Sequence, residues 1–408
     1  MNGQNEVKKN KSHILGLPSW YPWGEGDHNG LFCLAQLEAL AASGHQVGLL
    51  AAVSHPNAAG SRGLEVQQYN WGFACVALYR SGPSPLLQAF RYAWAMHKAW
   101  KHYVVLAGYP QNILVLVAWK AGLFARWLQF RYGISYYVIE HWGLYISDEY
   151  RNKSIYLKFL FKFIFTGAYR VGAVSETLGR ALYDHKITPR IPQIVPNVVD
   201  TDVYRPDQNA AQNRGGSESI LGHADRVLKD QPPLLMHVSN LADVKNFDFV
   251  LDVFAAFRKR YPEARLWVAG AFSPSETTSK YLADKSNHDI MSHVEWFGFA
   301  DQQTLLRHYR RATALILASR HETFSIVAAE AFACGCPVLS TPLSALDAFG
   351  NWGTRCSLPS QDPEAWADVL EGWTKSKPFV PPHAWEAMHQ AYGKKAVGES
   401  ISKWITEN

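Results

Sequence analysis

Residues 321–341, HETFSIVAAEAFACGCPVLST, hold two acidic side chains, Glu322 and Glu330, with seven residues between them. On a helix they would lie about 12 Å apart along the axis, and a loop would bring them no closer. That is too wide for two carboxylates to flank one glycosidic bond as a hydrolase requires. It suits carboxylates that hold the two ends of one long ligand. The helix N-terminus between them, with amides near Phe324 to Val327, offers partial positive charge to a phosphate. A ligand with a hydroxylated group at each end and phosphates between fits, and a nucleotide sugar is such a ligand. Taken singly, Glu322 also fits a solvated loop carboxylate and Glu330 an exposed helix residue.

Three other positions carry chemistry. Lys245 lies in the loop 240–246 after an apolar strand, where its ammonium can meet a diphosphate as charge builds on a leaving group, or can simply be a solvated lysine. His141 follows the apolar run of ISYYVIEHWGLY, residues 134–145, at a strand's carboxyl end, where open parallel sheets place ligand groups. In isolation such a histidine is more often structural. Gly30 closes the loop of Pro22, Gly24 and Gly26 and fits either a turn glycine or a close approach to a phosphate.

The elements that must position these groups alternate between strand and helix. Residues 314–319 predict a buried strand, Ser325 an N-cap, Gly335 a left-handed C-terminal residue and Pro337 the stop before the next strand. Upstream, 14–20, 47–53, 64–69 and 134–140 predict strands; 86–100, 114–130 and 151–165 predict helices. On the last, Arg151, Lys158 and Lys162 share one stripe, as on an interfacial helix or on the basic outer face of an ordinary one. Residues 171–176 predict a strand entering a helix through Ser175 as N-cap, and Asn197 in 194–200 either shapes a turn, the commoner role, or touches a ligand. The polar stretch 207–233 predicts a linker or surface loop, with 220–228 as a short helix. Alternation resumes from Leu234, so a second doubly wound domain is expected, and 385–404 is a helical pattern.

A chain of 408 residues exceeds the usual single core, and 48% hydrophobic with 18% charged residues describes a folded protein of two domains. The net charge of +5 favours acidic lipid or nucleotide partners without arguing for nucleic acid. Cys33, Cys75, Cys334, Cys336 and Cys356 lack metal-ligand spacing and fit a reducing compartment. No apolar run of membrane length and no signal-peptide core is present, which predicts a soluble or peripheral cytoplasmic protein. A nicotinamide enzyme is disfavoured because the early glycines lack the dinucleotide-binding spacing.

The string SRHETFSIVAAEAFACGCPV resembles the donor-site signature of the retaining glycosyltransferases of family 4, which share the two-domain GT-B fold. The match extends from Ser19 to about Tyr392 through SWYP, Gly30, Gln36, GHQV, EHWGLY and IVPNVVD. The resemblance implies two Rossmann-like domains facing a central cleft: 1–206 on the acceptor side, 234–384 for the nucleotide sugar, and a C-terminal helix, 385–408, crossing back. It implies that Glu322 contacts donor sugar hydroxyls, Glu330 the ribose, and Gly30, Asn240, Lys245, Thr323, Phe324, Ser325 and Ile326 the rest of the donor. His141, Glu322 and Lys245 become the catalytic candidates, Glu140 becomes an orienting or acceptor-side residue, and Trp142 and Tyr145 lie on the acceptor side. The reaction implied is hexose-type transfer with retention from a nucleoside diphosphate sugar, UDP-linked in preference to GDP-linked, to a hydroxyl of a lipid-linked or polysaccharide precursor in bacterial envelope synthesis. No cofactor or metal is expected, and peripheral contact with an anionic membrane is. Two rivals stand beside this reading: an epimerase on the same fold and, because Asn240 replaces the family's usual arginine before Lys245 and the helices are basic and aromatic, a nucleotide-sugar-binding or membrane-assembly subunit without turnover.

Overall fold

The computed structural model describes residues 12–24, 26–55, 63–207, 231–270, 276–284, 288–350, 352–376, 378 and 383–407. The linker expected at 207–233, with its short helix at 220–228, lies almost wholly outside them. The chain forms two compact units, residues 1–198 with 394–408, and residues 199–393.

Unit 1 is built on an eight-stranded sheet of order β3-β4-β2-β1-β5-β6-β7-β8. Its strands are β1 (His13–Pro18), β2 (Gln46–Ser54), β3 (Leu64–Tyr69), β4 (Gly72–Tyr79), β5 (Asn112–Leu116), β6 (Ser135–Glu140), β7 (Arg170–Ala173) and β8 (Gln193–Ile194). All pairings are parallel except the edge hairpin β3–β4. The helices are α1 (Leu31–Ala42), α2 (Pro85–Ala107), α3 (Trp119–Tyr132), α4 (Ile155–Gly167) and α5 (Glu176–Asp184). Strand order runs outward in opposite directions from β1 and β5, which makes the crevice at their carboxyl ends the topological switch point, where open α/β sheets bind ligands.

The expected helix at 114–130 is corrected: Leu114–Leu116 belongs to β5, and the helix begins only at Trp119. A short apolar run suits a buried strand or a buried helix equally, and what ends the strand is Val117, with φ 67, which periodicity cannot reveal. The stripe on 151–165 also changes. Arg151 precedes α4, and its carbonyl accepts a hydrogen bond from Lys158 Nζ. Ser175 does cap α5, accepting the Leu178 amide at 3.2 Å.

Unit 2 carries a six-stranded parallel sheet of order β11-β10-β9-β12-β13-β14. The strands are β9 (Leu234–Val238), β10 (Arg265–Ala269), β11 (Val294–Gly298), β12 (Ala314–Leu317), β13 (Val338–Ser340) and β14 (Arg355–Ser357). The helices are α6 (Phe247–Arg258), α7 (Glu276–Ala283), α8 (His288–Met291), α9 (Gln302–Arg311), α10 (Ile326–Ala333), α11 (Pro363–Lys375) and α12 (Ala384–Tyr392). Phe247, Val250, Leu251, Phe254 and Phe257 of α6 pack with Leu266, Ile316 and Trp366 into its core. The helical pattern at 385–404 is two helices broken at Gly393: α12 stays with unit 2, and α13 (Lys394–Thr406) completes unit 1 against α1. The divisions fall at Val198 and Gly393 rather than at 206 and 385. Val199 N–H donates to Tyr392 O at 2.8 Å, and Trp385 and His389 bond Thr201, so residues 199–206 are tied to α12.

Candidate functional site

In unit 2 the donor candidates gather at the carboxyl ends of β9 and β12. Lys245 Nζ lies 2.7 Å from Glu322 Oε1, and the Ser319 hydroxyl donates to the same oxygen at 2.8 Å. The Glu322 side chain is mostly buried while Lys245 keeps about a quarter of its surface open. A largely buried pair costs desolvation, which short, multiple hydrogen bonds offset. The β9 loop that carries Lys245 is itself pinned. Burial lowers the His237 pKa to about 4, so the ring is neutral. Ile316 O can only accept, at 3.0 Å from Nδ1, so Nδ1 carries the proton and Nε2 accepts from Ser239 Oγ at 2.7 Å. Ser239 Oγ in turn accepts the Leu241 amide. Beside this loop opens a cavity of about 470 Å³ lined by Ser239, Leu241, Val268, Gly270, Met291 and Trp296 among others.

Asn240 is exposed and closes a local turn, its Oδ1 accepting the Ala242 amide at 3.2 Å. Arg320, next to Ser319, pairs with Asp243 on the same loop at 2.5 Å.

Past β12 the chain reaches α10. Ser325 occupies the N-cap position but is left-handed, with φ 66, and its hydroxyl, buried, has no partner among the described residues. It therefore turns the chain and does not cap the helix, which corrects the expectation. Phe324 is buried against Phe349 and Tyr392, so only its backbone is available to a ligand. Thr323 and Ile326 stay half-buried. Glu330, one end of the acidic pair, accepts from Tyr309 Oη at 3.1 Å. Its pKa is pushed up to about 8 by burial, with the Asp200 charge acting the same way and the hydroxyls of Tyr309 and Tyr204 opposing. Neither tyrosine has a role in the sequence reading, Tyr204 figuring only in the resemblance that follows IVPNVVD; Tyr204 and Tyr309 are both fully buried and touch edge to face at 6.0 Å.

In unit 1 the carboxyl ends of β5 and β6 are clasped by Glu140. Its Oε1 accepts the His141 and Trp142 amides at 2.9 Å each, and its Oε2 the Ala118 amide at 3.0 Å. Fully buried and holding the His141 amide, it fits the orienting role and not the acceptor-side one. Its pKa rises to about 7 because desolvation outweighs those three amides. Tyr145 is corrected likewise: it is buried in a ring cluster with Tyr150, Phe161 and Phe165. Trp142 is half-buried, edge-on to Trp20. His141 is buried and kept neutral, its pKa lowered to about 3 by desolvation against the opposing Asn197 side chain, and neither ring nitrogen has a partner in hydrogen-bonding geometry among the described residues. Gly30, at φ 83, has its own reason to be glycine: a Cβ there would meet Trp20 O at 2.1 Å.

Of the five non-glycine residues with positive φ among the described residues, four stand beside these groups, Val117, Leu241, Asn246 and Ser325; Lys186 is the fifth. Backbone held in such conformations costs of order 1–3 kcal/mol each and concentrates at functional sites.

Two doubly wound α/β units, each with its marked groups at strand carboxyl ends, define a GT-B architecture. The chain matches the model of the glycosyl transferases group 1 over residues 222–392 and that of the glycosyl transferase 4-like domain over 30–198. It belongs to the family 4-type glycosyltransferases. Among solved structures it resembles sucrose-phosphate synthase from Thermosynechococcus elongatus, with TM-score 0.72 at 17% identity over 96% of this chain and 98% of that one. It also resembles Anabaena HepE in complex with UDP, with TM-score 0.67 at 15% identity over 97% and 100%. Among curated relatives it is 28% identical over 211 residues to a D-inositol 3-phosphate glycosyltransferase of Frankia alni, 49% of each chain. A mannosylfructose-phosphate synthase of Agrobacterium fabrum is 28% identical over 151 residues, 36% of this chain and 32% of that one. The match thus spans about half or less of these relatives' length.

Proposed function

We propose that this protein transfers a hexose-type residue from a nucleoside diphosphate sugar, UDP-linked in preference to GDP-linked, to a hydroxyl acceptor with retention of anomeric configuration. The observation that carries the reading is the Lys245–Glu322 pair at 2.7 Å beside the β12–α10 turn, with Glu330 on the helix beyond. Glu322 takes sugar hydroxyls and Lys245 the diphosphate once donor enters; Glu330 takes the ribose. The apolar cavity next to the β9 loop has a volume within the ordinary range of ligand pockets and suits the base.

In the same-face route the bond from C1 to the phosphate oxygen breaks, and the acceptor oxygen bonds C1 on the side being vacated. The acceptor proton passes to the departing phosphate oxygen. Lys245 and the first amides of α10 stabilise the charge on that phosphate, worth most where water is excluded. His141, neutral at working pH, serves as a donor or acceptor to the sugar and not as a cation. The acceptor we favour is a lipid-linked or polysaccharide precursor of envelope glycan; the inositol phosphate and sugar phosphate named for the relatives mark hydroxylated acceptors as the common class.

Incubation with UDP-glucose and hydroxylated acceptors tests this, with the product's anomeric coupling read by NMR. An α-linked product with UDP released agrees. A β-linked product contradicts retention. The self-contained turn of Asn240, which stands where the family's arginine is usual, favours the rival reading of a binding subunit, and that rival predicts UDP binding with no turnover on any acceptor.

A further inference from the structure

Between Glu65 and Glu140 the sequence holds no acidic residue. The run contains α2 and α3, which touch through His97 and Trp127 at 5.5 Å between ring centroids. Helix α4 joins them through Phe163, stacked on Phe130 of α3 at 6.2 Å, and it too has no acidic residue. The three helices carry eight Lys and Arg side chains, three on α2, three on α3 and two on α4. The acids nearest in sequence, Asp148 and Glu149, precede α4 and are paired with Arg151 and Lys153.

The same helices leave large apolar side chains in water. Leu86, Phe90, Trp94, Phe130, Tyr156 and Phe159 are each 65–85% exposed. Leu86, Phe90 and Trp94 recur every fourth residue, so they form one stripe on α2. On α3, the Arg126 guanidinium sits 4.5 Å from the centre of the Phe130 ring and 4.9 Å from that of Phe163, holding a cation among the rings. Scattered exposed hydrophobes are ordinary, but aromatics concentrated on three touching, acid-free, basic helices are not.

We propose that the outward faces of α2, α3 and α4 dock on an anionic lipid bilayer, aromatics entering the headgroup region and the cations meeting lipid phosphates. Charge complementarity selects this occupant. A polyanion without an apolar layer would be met by the cations but would leave the exposed rings in water, whereas an anionic bilayer takes both. No described helix is long and apolar enough to cross a membrane, so the contact is interfacial.

Full-length protein is floated with vesicles of phosphatidylcholine alone and with phosphatidylglycerol added. Parent protein is expected with the anionic vesicles only, and high salt should release it. The pair Phe90→Ser with Trp94→Ser should abolish flotation, and Lys98→Ala with Lys101→Ala should weaken it about five-fold per cation. All four side chains are exposed, so thermal melting should match the parent. Failure of the parent to float with anionic vesicles, or variants floating like the parent, overturns the proposal. A lipid-free dimer seen by light scattering and dissolved by the same substitutions overturns it in favour of self-association.

Discussion

On the proposed function, the Tyr204–Tyr309–Glu330 group is where a single residue should matter most for donor affinity. With its pKa near 8, Glu330 is largely protonated at neutral pH before ligand binds. A carboxylate that accepts from two ribose hydroxyls must be ionised, so UDP affinity is predicted to rise as pH climbs from about 6.5 through 8 and then level off. In Glu330→Gln the rise should vanish and binding should be weaker throughout. Tyr309→Phe removes a hydroxyl that favours the ionised form, so it should move the inflection upward; titration calorimetry across pH reads both. The stability consequence has its own sign. A carboxyl whose folded pKa is raised from 4.5, as for Glu330 and for Glu140 at about 7, contributes stability that is full below about pH 4.5 and lost as pH passes 7 to 8. For Glu140 the geometry adds a second prediction. Glutamine there can accept the His141 and Trp142 amides but turns an N–H toward the Ala118 amide. Glu140→Gln should therefore cost about 1–3 kcal/mol in a urea melt, and a loss below about 0.5 kcal/mol would mean the clasp is unimportant.

Among the elements, the turns that aim these groups depend on backbone that side-chain patterns do not announce. Gly30→Ala would place a methyl against Trp20 O and force a positive φ, at a predicted cost of order 1–3 kcal/mol; a melt unchanged within error would contradict the packing described. Residue patterns made much of the architecture legible. The strand–helix alternation foretold both sheets, Gly335 stands at φ 75 past α10 as its position demanded, and Ser175 caps α5. What stayed hidden had physical reasons. Leu114 to Phe130 is apolar enough for either element, and the break at Val117 is set by Ser19 Oγ, which donates to Val117 O at 2.7 Å, and by the Glu140 clasp, both remote in sequence. Strand β4 follows β3 across a two-residue turn, and the sequence reading, which ends its strand at Tyr69, expects none over 72–79. Ser325 has the right residue type for a cap and the wrong backbone. The Lys245–Glu322 contact spans 77 positions; each residue was marked separately, through chemistry and resemblance, but no local pattern pairs them.

For the whole molecule, unit 1 is discontinuous and closes only when α13 arrives from the chain's far end. Val397, Ile401, Trp404 and Ile405 are buried, His45 bonds Ser402 at 2.7 Å, Tyr137 Oη donates to Ile405 O, and Lys394 pairs with Glu38. Four buried large side chains at about 1.5–3 kcal/mol each approach the entire stability of an ordinary domain. Truncation after Gly393 is thus predicted to leave unit 1 unfolded, seen as rapid proteolysis of residues 12–198 while the Glu330 unit persists. A truncated chain with protease-resistant unit 1 would contradict this. The two-domain reading was available from length and alternation, but the ownership of α12 was not, because the Val199–Tyr392 and Thr201–His389 contacts join positions nearly two hundred residues apart.

The central claim is that the β9 loop and the β12–α10 turn of unit 2 form a nucleotide-sugar site. Calorimetric titration with UDP, GDP and ADP tests it most directly, on the parent protein, Lys245→Ala and Glu330→Gln. We predict UDP binding that exceeds the other two and falls about ten-fold or more in each variant, the loss expected when one charge-assisted hydrogen bond is removed. No nucleotide binding by the parent, or variants that bind UDP as the parent does, would contradict it.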